Sequence, residues 1–162
     1  MGNGTKPLDF VACDSRYFWN KNNYQSFLEN NVSVKWYTPL ICGALGYANT
    51  TMAEKVVELT LISRRSTLRA GTRLNARGID DDGNVGNYVE TEQILTVGDN
   101  QTSFIITRGS VPIFWTQAGK GNTKLFEDTI IDRSSEMTKT AFTRHFDSMV
   151  KDYEQIMVID LL

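Results

Sequence analysis

The chain has 162 residues, of which 41 % are hydrophobic and 22 % are charged. This length suits one ordinary domain, and the composition excludes a largely disordered chain. The net charge of -2 predicts no general attraction to nucleic acid, so any anion site must be a local cluster of positive charge. No apolar run is long enough for a membrane helix, and no signal-peptide pattern stands at the start. We therefore expect a cytoplasmic protein with no transmembrane segment.

The first part of the chain predicts a loose lead-in followed by a folded domain. Residues 1–16 have weak structural signals, and residues 17–162 are expected to form the domain. Tyr24 is followed three and four residues later by Phe27 and Leu28, a spacing that predicts a short helix burying one face. Three extended segments are then expected, at residues 34–38, 40–44 and 55–62.

The two cysteines and the single histidine do not suggest a metal site. Cys13 and Cys42 are too few for a disulfide scaffold, and no Cys/His cluster has zinc spacing. Both thiols are expected to be buried and free. His145 lies in a predicted helix over residues 137–153, where we expect it to pack or cap rather than to act as a general acid.

Residues 68–77 predict a strand with a cationic face. Apolar or small residues occupy every even position from Leu68 to Ala76, and Arg69, Arg73 and Arg77 stand at odd positions. A strand collects these two sets on opposite faces, whereas a helix would scatter them. Asp80-Asp81-Asp82-Gly83-Asn84 supplies a turn, and residues 88–97 are the expected return strand. This hairpin would place Arg73 opposite Glu92.

The second half predicts further strands and a helix. A turn at Gly98-Asp99-Asn100 separates strands over residues 88–97 and 103–108, and another strand is expected over 111–115. The predicted fold class is α+β, with a mixed, largely antiparallel sheet that contains a β-hairpin and is flanked by helices. The apolar run 156–162 has no polar tail, which suggests a chain cut inside a structured region.

Several ordered motifs resemble the Sac-domain phosphoinositide phosphatases. They cover most of the chain from about residue 14 onward. The main motifs are RAGTR at 69–73, RGID at 77–80, GNV at 83–85, NYVETEQ at 87–93, RGSVP at 108–112 and FWTQ at 114–117. The resemblance implies that the chain is part of a larger Sac domain, covering the first half of its catalytic region.

The resemblance also implies a function. Members of this family remove phosphate from the inositol ring of phosphatidylinositol phosphates at a membrane surface, with no metal cofactor. Their nucleophile lies in a Cys-x5-Arg loop, in which a thiolate attacks phosphorus. Six residues after Cys13 stands Trp19, and six after Cys42 stands Ala48. No residue here inherits the catalytic role.

The candidate substrate-binding residues are cations and a glycine-containing segment. Arginine binds phosphate bidentately, and glycine exposes backbone where a strand ends. The set is Arg69, Arg73, Arg77, Arg108, Gly109 and Ser110. The alternative for the first three is structural pairing across the hairpin.

Two functions remain open from the sequence. The first is a partial phosphoinositide phosphatase that is inactive alone and whose parent acts on headgroups at the membrane periphery. The second is a non-catalytic module derived from a Sac domain that binds phosphoinositide or protein. The abrupt Leu161-Leu162 end favours the first.

Overall fold

A computed structural model describes residues 13–72, 75–118 and 128–160 of the chain. The chain forms two compact units. The first comprises Met1–Thr67 and Val89–Thr107, and the second comprises Leu68–Tyr88 and Arg108–Leu162. Most of the predicted lead-in, residues 1–12, lies outside the described residues, so the division into a lead-in and one domain stays a prediction.

The first unit is built on a four-stranded antiparallel sheet. Its strands, in spatial as well as chain order, are β1 (Gly43–Met52), β2 (Lys55–Arg65), β3 (Val89–Val97) and β4 (Asn100–Arg108). Ala53 and Glu54 join β1 to β2 with φ of 47° and 63°. Positive φ at both central residues matches the twist of a two-residue hairpin, usually with Asn or Gly in these places. Because Ala53 and Glu54 are not typical turn residues, the sequence analysis predicted no turn here, and its extended segment at 40–44 covers only the start of β1.

The predicted strand over residues 68–77 is wrong. No strand includes residues 66–72 or 75–78, of which 67–69, 75, 76 and 78 form turns or bends, and Arg73 and Leu74 lie outside the described residues. Arg69 has φ of 46° and Gly78 has φ of 65°, and left-handed residues interrupt an extended backbone. Alternation of small and charged residues was therefore a misleading signal.

The predicted return strand is confirmed as β3, but its expected partner is wrong. β3 pairs with β2, which was predicted over residues 55–62. The register places Ile62 opposite Glu92 and Arg64 opposite Glu90. The proposed pairing of Arg73 with Glu92 is therefore replaced by contacts of Arg64.

These contacts form a small charged network in the first unit. Arg64 Nη2 lies 2.8 Å from Glu90 Oε1 and 2.6 Å from Glu92 Oε2. Glu90 is only 5 % exposed, and it also accepts a hydrogen bond of 3.3 Å from the Tyr17 hydroxyl. Ser103 on β4 donates to Glu92 at 2.9 Å. The network joins three strands to the N-terminal segment, because Tyr17 precedes the sheet in the chain.

Short helices precede the sheet. A 3₁₀ turn, Lys21–Tyr24, leads into α1, Gln25–Glu29, which confirms a short helix within residues 17–29. Val34–Trp36 is a second 3₁₀ turn, capped by Ser33, so the extended segment expected at 34–38 is wrong there. Phe18 and Tyr37 form the buried core of this part, with Tyr24 and Leu28 packed against them.

The second unit combines a two-stranded sheet with a helix. Its strands are β5 (Trp115–Ala118) and β6 (Asp128–Ile131), which pair antiparallel, and its helix is α2 (Ser135–Tyr153). The predicted helix over 137–153 is confirmed and begins two residues earlier, because the Ser134 side chain accepts the Met137 N–H. The strand expected over 111–115 is wrong, since only Trp115 belongs to β5.

The core of the second unit contains Ile79, Val85, Phe114 and Ala141, with Tyr88 packed against it. Ala141 lies on α2 and is 3 % exposed, whereas the larger apolar residues Phe142 and Val150 of the same helix are 41 % and 51 % exposed. The helix thus packs through a face rotated from the one that its largest apolar residues define.

Candidate functional site

The acidic turn of the second unit, residues 80–84, contains several internal hydrogen bonds. Ile79 and Val85 form an isolated antiparallel bridge at its base. Asp80 Oδ1 accepts the N–H groups of Asp82 at 3.1 Å and Asn84 at 2.8 Å. Such side-chain bonding to nearby backbone is the turn chemistry that the sequence predicted. The Asp80 carboxylate serves the turn itself, and the described residues contain no group of three or more His, Cys, Asp or Glu side chains that could hold a metal ion.

The segment after β4 lies against this turn. Ser110 donates its N–H to Gly86 O at 3.0 Å, and its hydroxyl oxygen accepts the N–H of Gly78 at 2.7 Å. A Cβ on Gly109 would lie 2.6 Å from Val85 Cγ2, so this close approach requires glycine. The structure therefore brings the predicted segment Arg108-Gly109-Ser110 beside Gly78, which follows the predicted Arg77.

The guanidinium groups of Arg69 and Arg77 make part of their contacts within the protein. Arg69 Nη2 donates to Arg77 O at 2.7 Å. Arg77 Nη2 donates to Gln117 Oε1 at 2.9 Å, and its guanidinium lies 5.3 Å from the centre of the Trp115 ring. The Nε atom of each arginine is buried without a hydrogen-bond partner. These contacts are structural, although they are not the cross-strand pairs that the sequence suggested.

Arg108 differs from these two arginines. It ends β4 and is exposed, and within the described parts of the chain its guanidinium makes no hydrogen bond or ion pair. Ser110, two residues after Arg108, accepts a hydrogen bond from Gly78, the residue after Arg77. This bond holds the segment that carries Arg108 next to the segment that carries Arg77. Arg73, the remaining predicted cation, lies outside the described residues.

Asp81 in this turn contacts both α2 and the segment that precedes α2. Arg133 forms an ion pair with Asp81, and Arg144 Nη1 donates to Asp81 O at 2.6 Å. The hydrogen bond from Arg133 holds the pKa of Asp81 below its usual range. These contacts of Asp81 were not predicted, because residues 52 or more positions apart give no local sequence signal that they pair.

His145 packs on the same turn, as the sequence analysis expected. Its Nδ1 lies 3.1 Å from Gly83 O, and its ring meets the Tyr88 ring edge-on at 6.2 Å. Burial lowers the pKa of His145, and the hydrogen bond to Gly83 O opposes that shift. Gly83, with φ of 93°, allows the approach, since a Cβ there would lie 2.9 Å from His145 N.

The thiols are placed differently from the expectation. Cys42 is exposed and Cys13 is half-buried, so neither is the buried thiol that was predicted. Both belong to the first unit, whereas the candidate cations belong to the second. Neither has Arg six residues later, so the site contains no nucleophile of the Cys-x5-Arg type.

Comparison with known proteins identifies the family. Residues 3–162 match the SacI homology domain, and the chain belongs to that family. Human synaptojanin-1 is 37 % identical over 163 aligned positions, which cover 99 % of this chain and 10 % of that protein. The zebrafish phosphatidylinositide phosphatase SAC2 is 33 % identical, with 100 % of this chain and 16 % of that protein covered.

A third relative has higher identity over a shorter span. Inositol-1,4,5-trisphosphate 5-phosphatase 1 of Schizosaccharomyces pombe is 46 % identical over 125 positions, which cover 75 % of this chain and 11 % of that protein. The chain therefore spans only 10–16 % of the length of these three relatives. Within the described residues, no helix is long and apolar enough to cross a membrane.

Proposed function

We propose that this chain is the part of a Sac phosphoinositide phosphatase that helps to hold the inositol phosphate headgroup, and that by itself it does not hydrolyse the substrate. Two relatives are named for phosphatase activity on phosphatidylinositides or inositol phosphates, which supports the substrate class. The proposed place of action is the cytoplasmic surface of a membrane. No metal enters the proposed chemistry.

The observation that carries the proposal is the exposed guanidinium of Arg108, which makes no hydrogen bond or ion pair with the described residues and stands next to a hydrogen-bonded segment. Arg108 is followed by Gly109, which leaves the backbone accessible, and by Ser110, whose bonds fix the segment to Gly78 and Gly86. Arg69 adopts a left-handed φ of 46°, an unusual conformation for a non-glycine residue. Backbone strain of this kind concentrates at binding sites, where the surrounding structure maintains it.

Binding of a soluble short-chain phosphatidylinositol phosphate tests the headgroup proposal. Loss of one charge-assisted contact in Arg108→Gln should cost about 1.5–3 kcal/mol, which weakens binding by about tenfold or more. Lys151→Gln is the matched control, because it removes one exposed cation from the last turn of α2. Equal affinities of the Arg108 and Lys151 variants would contradict the assignment.

Phosphate release from the same lipid tests the proposed inactivity. We expect no turnover above background, because the chain lacks a thiolate followed by the required arginine. Turnover that survives replacement of both Cys13 and Cys42 by Ser would contradict the family-based mechanism. Turnover lost when only one of them is replaced would identify that cysteine as a nucleophile.

A further inference from the structure

The strand β4 lies at one edge of the four-stranded sheet. Within the described residues its neighbour in the sheet is β3 alone, so its other side presents backbone N–H and C=O groups to a further strand. Phe104, Ile105 and Ile106 at its centre are 65 %, 40 % and 55 % exposed. An open edge with exposed, strand-favouring side chains is a template for pairing with another strand.

The sequence of β4 lacks the features that usually protect such an edge. Proteins protect edge strands with proline, with lysine or other charges inside the strand, or by making the strand very short. β4 has nine residues, contains neither proline nor lysine, and carries its single charge on Arg108 at its end. The other edge, β1, suits a partner less well, because Gly43 and Gly46 have low strand propensity and no side chains for cross-strand contacts.

β4 is complementary to itself in an antiparallel pair. When Ile105 lies on a two-fold axis, Phe104 of each copy is opposite Ile106 of the other copy, and Ser103 is opposite Thr107. Aromatic and β-branched side chains form favourable cross-strand pairs, and this register forms two of them. The register therefore covers the most exposed side chains at the centre of β4.

The charges near β4 also favour this register. Arg108 is opposite Thr102 of the other copy, and because residue 108 stands six after residue 102, the two Arg108 residues are about 20 Å apart along the strands. This separation exceeds the screening length of about 8 Å at physiological salt, so their repulsion is small. Each Arg108 instead lies toward the end of the partner strand that follows Asp99, the carboxylate of the turn between β3 and β4.

We propose that β4 pairs with β4 of a second copy of this chain about a two-fold axis at Ile105, which joins the two four-stranded sheets into one. A symmetric contact of this kind uses the same edge of both copies and stops at a dimer. Pairing of β4 with β1 of another copy would instead repeat without closing and would give filaments. The inference does not depend on the proposed function, because it requires no bound headgroup.

Sedimentation velocity of the full 162-residue chain over a range of micromolar concentrations tests the proposal. We expect an equilibrium between monomer and dimer. Ile105→Lys places two cations opposite each other at the axis and should weaken the dimer at least about tenfold. Leu45→Lys is the matched control, because it introduces the same charge at an apolar position on β1 that is 74 % exposed. This control should leave the dimer unchanged.

A mixture of charge variants tests the two-fold register. Ile105→Glu should also be monomeric, and mixing it with Ile105→Lys should restore a dimer, because unlike charges then meet at the axis. Circular dichroism melts of the separate variants establish that each is folded.

Chemical cross-linking tests the same axis without a change of charge. In a background of Cys13→Ser and Cys42→Ser, a short bismaleimide should link chains with Ile105→Cys in pairs but should not link chains with Leu45→Cys. A monomer at every concentration, an equal loss in the Leu45→Lys control, no recovery in the mixture of charge variants, or species larger than a dimer would overturn the proposal.

Discussion

The contact between Arg64 and Glu90 gives the sharpest test of the register of the sheet. Glu90→Gln removes the charge of a carboxylate that is 5 % exposed and lies 2.8 Å from Arg64 Nη2. Hydrogen bonds to charged groups contribute about 1.5–3 kcal/mol, and breaking a buried pair completely costs about 3–5 kcal/mol. Glu92 still holds Arg64 at 2.6 Å in this variant, so we expect a loss near the lower range, about 2 kcal/mol.

Urea unfolding followed by circular dichroism measures this loss. With a slope of about 1–3 kcal/mol per molar, a change of 2 kcal/mol shifts the midpoint by about 1 M. The pairwise energy is obtained from a double-mutant cycle of Arg64→Met with Glu90→Gln, and we expect a coupling of about 1–2 kcal/mol.

The matched cycle combines Arg64→Met with Glu58→Gln. Glu58 lies on the same strand and is opposite Asn49 and Thr96, so its coupling to Arg64 should be near zero. A coupling below about 0.5 kcal/mol for Arg64 with Glu90, no larger than for Glu58, would refute the register and the network built on it.

Three further predictions concern packing, capping and pH. Gly43→Ala should destabilise the first unit by about 1–3 kcal/mol, because its Cβ would lie 1.7 Å from a carbonyl oxygen of β2. Gly46→Ala, with its nearest atom at 3.7 Å, should be tolerated in the same urea titration. Ser134→Ala should cost about 1 kcal/mol of α2 stability, measured by thermal melting, through loss of the N-cap. Since the pKa of His145 is lowered in the folded chain, the unfolded chain binds more protons below about pH 6.5. Stability should therefore fall as the pH drops through that region, and His145→Gln should lose this component; an unchanged pH profile in the variant would contradict the role of burial.

The sequence determined the elements whose signals are local. The apolar spacing indicated α2, the alternation of β2 indicated a strand, and Asp80 indicated the turn that it forms. The absence of a Cys-x5-Arg loop is also a property of the sequence alone. These features can be read early because each depends on residues only a few positions apart.

Tertiary structure decided which of these elements meet. Arg64 and Arg73 both lie in alternating segments, and the sequence favoured Arg73 as the partner of Glu92, whereas β2 brings Arg64 there. The left-handed conformation of Arg69 ended the predicted strand, although nothing about an arginine indicates positive φ. The ion pair of Asp81 with Arg133 likewise could not be predicted from the sequence. Strand partners and long-range ion pairs depend on how the whole chain closes on itself, and a pattern with a period of two residues is the same whichever strand completes the sheet.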